Sequence, residues 1–212
     1  MVVIRAGSAA DAAQIAAVQR EGWFAAYREI IPVAIIDRVT TPDGGARVLQ
    51  TFRTRPWQRM IVAVTDGGEP RDRDPRGGDP RDRAPATGDP SAGTQGGIIG
   101  YASYGPETDV LSAPWPHPLT PGGEQGRTGE LYALYVRPAW WSTGTGRALM
   151  DRVLARTAAA GYQSVVLWVL RDNLRARRFY ERAGFAPDGA TNVLERLGEV
   201  PEVRYRRPLI GA

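Results

Sequence analysis

Residues 130–185 read ELYALYVRPAWWSTGTGRALMDRVLARTAAAGYQSVVLWVLRDNLRARRFYERAGF. Glu130 to Val136 is an apolar, aromatic run with strand character, and Pro138 ends it. Ser142-Thr143-Gly144-Thr145-Gly146-Arg147-Ala148 opens a helix that the pattern carries from Gly144 to Ala160. Gln163 to Leu170 reads as a buried strand, and Asn173 to Ala183 as a helix closed by Gly184. The order is strand, glycine turn, helix, strand, helix.

The turn carries the first chemistry. A helix start presents unpaired N–H groups and the positive end of a dipole, so it attracts phosphate. Glycines there let the backbone approach an anion with no Cβ in the way. The absence of a lysine after the glycines excludes a nucleotide-hydrolysing P-loop. A dinucleotide fingerprint would need a third glycine where Leu149 stands. A tight strand-to-helix turn with no ligand would have the same local spacing.

Upstream, Val2 to Arg5 reads as a short strand, and Ser8 with Asp11 forms a capping-box pattern that starts a helix running to Tyr27. Pro32 stops it, a second helical stretch includes Ile35 to Asp37, and Thr41-Pro42-Asp43 caps a third toward Arg53. Met60 to Thr65 and Gly97 to Tyr104 are strands. Between them, residues 66–96 are rich in Gly, Pro, Arg and Asp and have little to bury, so the sequence predicts a disordered insert at a hairpin tip. Residues 105–128 read as an irregular, proline-rich loop holding Trp115 and His117, for which a lid role stands against a solvent-exposed loop. Downstream, Val193 to Leu197 and Glu202 to Arg207 are expected to make a final strand pair. The sum is a mixed α/β sheet with helices on both faces, one domain over residues 1–212.

Composition excludes several classes. The 212-residue chain has no cysteine, hence no disulfide and no thiolate nucleophile, and its single histidine makes a histidine-rich metal site unexpected; no metal is predicted. The net charge of +4 is carried entirely by arginine interspersed with acids, not by a basic block, which argues against nucleic acid as a partner. No apolar stretch is long enough to cross a bilayer and no leader pattern stands at the start, so a soluble, cytoplasmic protein is expected with no membrane partner.

The stretch from Glu130 to Phe185 resembles the GNAT superfamily of acyl-CoA-dependent N-acetyltransferases: a strand ending in Tyr-Val-x-Pro, a glycine loop, a helix, a strand, then Asn…Phe-Tyr-Glu-x-x-Gly-Phe. Trp23…Tyr27-Arg28…Ile31-Pro32 and Val203-Arg204-Tyr205 agree with it. The resemblance implies the GNAT-type fold, a mostly antiparallel sheet, with acetyl-CoA as co-substrate. It also implies that main-chain N–H groups of Thr143 to Ala148 (Thr143, Gly144, Thr145, Gly146, Arg147, Ala148) hold the pyrophosphate, with Trp141 and Ser142 leading into that loop. Trp141 departs from the Gln or Arg usual at its position. The backbone of Leu134, Tyr135 and Val136 is implied to pair with pantetheine, as in strand addition.

Two side chains are implied to do the chemistry. Tyr180 is the family's general acid beside the sulfur; a core aromatic with a satisfied hydroxyl is the other reading. Glu130 is the family's base, acting through water; a strand-end carboxylate facing solvent is the other reading. Strict alternation puts Glu130, Tyr132, Leu134 and Val136 on one face of the strand. Asn173, Arg177 and Tyr180 are spaced to share a helical face, with Asn173 either a cofactor contact or only a helix cap. Trp23, Tyr27 and the Ile30-Ile31-Pro32 turn are implied to wall the acceptor pocket, with Tyr101 and Tyr104 as further candidates.

The expected activity is transfer of acetyl from acetyl-CoA to a primary amine of a small molecule or a protein N-terminus. Direct attack in a ternary complex is favoured because no cysteine can carry the acetyl group. The alternatives are a non-catalytic acyl-CoA-binding module and an interaction protein working through the insert. Oligomeric state stays open, a homodimer included.

Overall fold

The computed structural model describes residues 1–41, 43–66, 97–108 and 128–209. The insert, Pro42, Trp115 and His117 lie outside the described residues, apart from Asp66. Seven strands form one sheet: β1 (Val2–Ala6), β2 (Arg59–Thr65), β3 (Ile98–Pro106), β4 (Thr128–Val136), β5 (Ser164–Leu170), β6 (Ala186–Leu194) and β7 (Val200–Pro208). The sheet order is β1-β2-β3-β4-β5-β7-β6, and every neighbouring pair is antiparallel except β4 with β5. Among the described residues five α-helices cover it: α1 (Ala12–Tyr27), α2 (Val33–Val39), α3 (Gly44–Thr54), α4 (Thr145–Ala159) and α5 (Leu174–Arg182).

Each face buries its own core. On one, Leu149, Met150 and Val153 of α4 and Phe179 and Tyr180 of α5 pack with Leu131, Val136, Leu167 and Tyr205 of the sheet. On the other, Ile15 and Val18 of α1 and Val48 of α3 pack with Met60, Val62 and Tyr101, and Ile31 and Ile36 pack with Leu170 and Val200. Removing a fully buried leucine such as Leu149 costs about 2–5 kcal/mol. Gly22 brings α1 down on β4: a Cβ there would lie 2.9 Å from Cδ1 of Tyr135.

Three sequence expectations shift. Helix α3 starts at Gly44 with Asp43, not Thr41, in the cap position. The penultimate strand is Ala186–Leu194, and Glu195–Leu197 is a 3-10 turn. Pro187 and Gly189 mark a loop in sequence, but β6 is a sheet edge with a register shift between Pro187 and Thr191, where both residues are tolerated. Alternation in β4 also fails. Ser103 pairs with Ala133 and Tyr104 with Leu131, so Tyr132 is an extra residue, a bulge. Leu131 therefore joins Leu134 and Val136 in the α4/α5 core, while Ala133 and Tyr135 face α1.

Candidate active site

Strands β4 and β5 pair only from Thr128↔Ser164 to Leu131↔Leu167 and then part. The gap opens a groove of about 580 Å³, lined by β4 residues 131–136, β5 residues 168–170, and residues of α1, α4, α5 and the turn before β7. Arg137 N–H donates to Ile99 O at 2.8 Å, which makes this a hydrogen-bonded position between β3 and the end of β4. By the antiparallel pattern, the main-chain groups of Leu134 and Val136 then point the other way, into the gap. Tyr135 instead turns its carbonyl toward β3, where it approaches Gly100.

At one end of the groove stands the start of α4. Gly144 is its N-cap, with a left-handed φ of 93° that a Cβ would strain, and no side chain caps the helix. The first intrahelical bond runs from Ala148 N to Gly144 O at 2.9 Å. The N–H groups of Thr145, Gly146 and Arg147 therefore lie ahead of the ladder, while that of Ala148 is already used. Thr143 ties the loop together, its hydroxyl 2.8 Å from Trp140 O and 2.9 Å from the Thr145 hydroxyl. Ser142 also has a positive φ, 62°. Arg147 turns its guanidinium to Asp151 at 2.9 Å, an exposed pair on the helix surface.

Trp141 is the residue that departs from the Gln or Arg usual at its position. Its Nε1 donates to Val136 O at 2.8 Å, and the guanidinium of Arg175 stacks 3.6 Å from the centre of its ring. The indole thus takes one acceptor of the β4 edge and links it to α5. Burial lowers the pKa of Arg175.

Helix α5 supplies the middle of the groove. Asn173 is its cap, with Oδ1 accepting from Ala176 N at 3.1 Å, and it also lines the groove. Ala176, Phe179 and Tyr180 share the groove-facing side. Arg177 does not: it donates to the Tyr205 hydroxyl at 2.9 Å and to Arg171 O at 3.0 Å. Tyr180 packs edge-on to Phe179 and Phe185, and its hydroxyl has no hydrogen-bond partner among the described residues. Burial, then the neighbouring Tyr27, pushes its pKa well up, so it stays a protonated donor.

Across the gap, Tyr27 and Tyr135 hold their hydroxyls 3.3 Å apart, both with pKa values raised first by burial. Trp23 stands edge-on to Tyr27 at 5.1 Å. Its indole N–H is near enough to Tyr135 to act on that hydroxyl, yet it is buried with no hydrogen bond of acceptable geometry. Trp23 and Tyr27 line the groove; Ile31, Tyr101 and Tyr104 are buried core residues outside its wall.

Glu130 is buried but is not among the lining residues; its Oε2 accepts from Thr108 N at 2.6 Å and from the Thr108 hydroxyl at 2.5 Å. The sequence reading missed Arg175, Trp168 and Glu202, all of which line the groove. None stands in a local motif; each arrives through strand pairing or helix packing. Among the described residues, no group of three or more His, Asp or Glu side chains could hold a metal ion, and no helix is long and apolar enough to cross a membrane.

The groove thus joins a parted sheet to an uncapped, glycine-led helix start whose free N–H groups can bond an anion. The model described as Acetyltransferase (GNAT) family matches residues 50–185, and the chain belongs to that family. It is similar to a mycothiol acetyltransferase of Beutenbergia cavernae, 48% identical over 60 residues, which is 28% of this chain and 20% of that protein. It is also similar to an uncharacterized N-acetyltransferase of Mycobacterium bovis, 42% identical over 76 residues, 36% of this chain and 47% of that protein. The chain thus spans a fifth to about half the length of these relatives. Among solved structures, the PaiA N-acetyltransferase of Thermoplasma acidophilum in complex with coenzyme A shares the fold, with a TM-score of 0.65, 16% identity, and 98% of this chain and 99% of that one covered.

Proposed function

We propose that the chain is an N-acetyltransferase that moves the acetyl group of acetyl-CoA onto a primary amine, of a small molecule or a protein N-terminus, by direct attack in a ternary complex. The observation that carries this reading is the convergence, in one groove, of an uncapped helix start, an unpaired strand edge and the unengaged Tyr180 hydroxyl. The N–H groups of Thr145, Gly146 and Arg147 would hold the diphosphate, and the Leu134 and Val136 edge would hold the pantetheine amides. Acetyl-CoA supplies an activated acyl carbon with a thiolate as its leaving group.

The protons balance as follows. A protonated amine and acetyl-CoA yield an amide, free thiol and one proton. The amine must lose a proton before it attacks, because its pKa lies near 10. A second proton leaves nitrogen as the C–N bond becomes an amide and the C–S bond breaks; the thiolate takes the Tyr180 proton, and the nitrogen proton returns to Tyr180, so the tyrosine ends as it began. Removal of the first proton is assigned to a water chain ending at Glu130, buried one residue before the groove wall at Leu131. In this reading the enzyme works in the cytoplasm, needs neither metal, nucleic acid nor membrane, and draws every named groove residue from one chain, a homodimer being compatible with it.

The test is calorimetric titration with acetyl-CoA, followed by thiol release and product mass with a panel of amines and peptides. Binding with thiol release and an added acetyl mass is expected. Binding without transfer to any amine would mark a non-catalytic acyl-CoA-binding module, and no binding would end the reading.

A further inference from the structure

The loop into α4 offers N–H groups to an anion, yet residues 138–146 carry no charged side chain. Arg137 and Arg147, which flank them, are committed elsewhere. Arg137 donates to Glu21 at 2.7 Å and to Ile98 O at 3.0 Å, and Arg147 pairs with Asp151 at 2.9 Å on the helix surface. Trp141 has already given its indole N–H to Val136 O at 2.8 Å. A helix start by itself presents only about half an elementary charge, too little to balance a diphosphate.

A cation reaches this loop from the next helix. The guanidinium of Arg175, in the first turn of α5, lies 3.6 Å from the centre of the Trp141 ring. Among the described residues it has neither an ion pair nor a hydrogen bond. Helix geometry relates it to the start of α4. Phe179 stands one turn further along the same face of α5, and a Cβ on Gly146 would lie 3.6 Å from its Cε2. Arg175 is thus braced against the residue three positions before the Gly144 cap, while the following turn of its helix packs on the first turn of α4. All four of Arg175, Trp141, Gly144 and Gly146 border the groove. A guanidinium can stack by its face and still present its edge N–H groups as a fork that matches two phosphate oxygens. The indole therefore orients this one without using its donors.

We infer that Arg175 is the side chain that neutralises the diphosphate of the bound acyl-CoA, and that Trp141 is a positioning residue that aims it. This rests on the acetyltransferase reading above and deepens it: the N–H groups of Thr145, Gly146 and Arg147 supply hydrogen bonds, and α5 supplies the full charge that the loop lacks.

The full chain is titrated calorimetrically with coenzyme A and with 3′-dephospho-coenzyme A, which keeps the diphosphate and lacks the other phosphate. Arg175→Gln is expected to weaken both ligands alike by about tenfold or more, the scale of a lost charge-assisted bond. Trp141→Ala is expected to weaken both by about threefold, the scale of a lost cation–π stack. The double variant should bind within about twofold of Arg175→Gln, because two residues that act as a unit do not add. Trp141→Arg placed in the Arg175→Gln protein is expected to regain about threefold or more, a rescue that a merely structural defect would not show. Unchanged affinity in Arg175→Gln overturns the inference. So does a loss confined to coenzyme A, which would put the guanidinium on the 3′-phosphate, and so do additive losses in the double variant or the absence of rescue. Those results leave the acetyltransferase reading standing, whereas a wild type that binds neither ligand takes that reading down as well. If Arg175→Gln does not fold, Arg175→Lys, which keeps the charge and loses the planar fork, is expected to weaken both ligands alike by a smaller factor, and the same outcomes decide.

Discussion

Tyr180 owes its place to two neighbours, Phe179 and Phe185, whose rings pack edge-on against its own and leave the hydroxyl at the groove with no hydrogen-bond partner among the described residues. With a pKa pushed up by burial it has a proton to give at neutral pH. Tyr180→Phe is therefore expected to lower kcat by about a hundredfold, the usual scale of general-acid catalysis, with acetyl-CoA affinity within about twofold of wild type. Unchanged turnover would remove the hydroxyl from the chemistry. For Glu130→Gln, the rise of activity with pH should shift or flatten; a profile matching wild type would transfer the base role elsewhere. Tyr180, Asn173 and Gly144 were legible in the sequence because each sits at a fixed offset within one turn or helix. Glu202 and Arg175 were not. Glu202 reaches the groove through β7 pairing with β5, and Arg175 through stacking on Trp141, neither of which leaves a local spacing to read.

At the level of elements, the first turn shows how much a cap holds. Asp11 accepts from Ser8 N at 2.8 Å and from Arg5 at 2.7 and 2.8 Å, joining β1 to the start of α1. The Arg5 guanidinium is the main reason its pKa falls to about 2. A depressed carboxylate contributes stability above its unfolded pKa, near 4, and loses it as pH falls toward the folded value. The wild-type melting temperature should thus drop between pH 4 and pH 2, and the Asp11→Asn variant, less stable at pH 7 by about 1 kcal/mol after allowance for the half-exposed Arg5, should lose much of that dependence. Parallel pH slopes for the two proteins would refute this. The capping box was readable from Ser8 and Asp11 alone. The bulge at Tyr132 was not, since it depends on how β3 meets β4, and it turned the expected alternation of Glu130 to Val136 out of phase beyond Leu131.

For the molecule as a whole, the strand–turn–helix–strand–helix order predicted the α/β class and the mixed sheet, while the sheet order and the edge position of β6 came from long-range pairing. The ends of the long insert meet: Thr65 N donates to Gly97 O at 3.2 Å, where β2 and β3 are adjacent. Replacing residues 67–96 by a four-residue turn should therefore keep the fold and, through three halvings of loop length, add up to about 2 kcal/mol of stability. Denaturant unfolding would measure it, and a loss beyond about 1 kcal/mol would show that the segment supports the body of the protein. The parting of β4 from β5 has the widest reach. Among the described residues, four pairs, from Thr128↔Ser164 to Leu131↔Leu167, join β4 to β5 directly. A ligand laid in that opening would take up hydrogen bonds that the two strands no longer give each other, and so restore to the sheet the continuity it loses there.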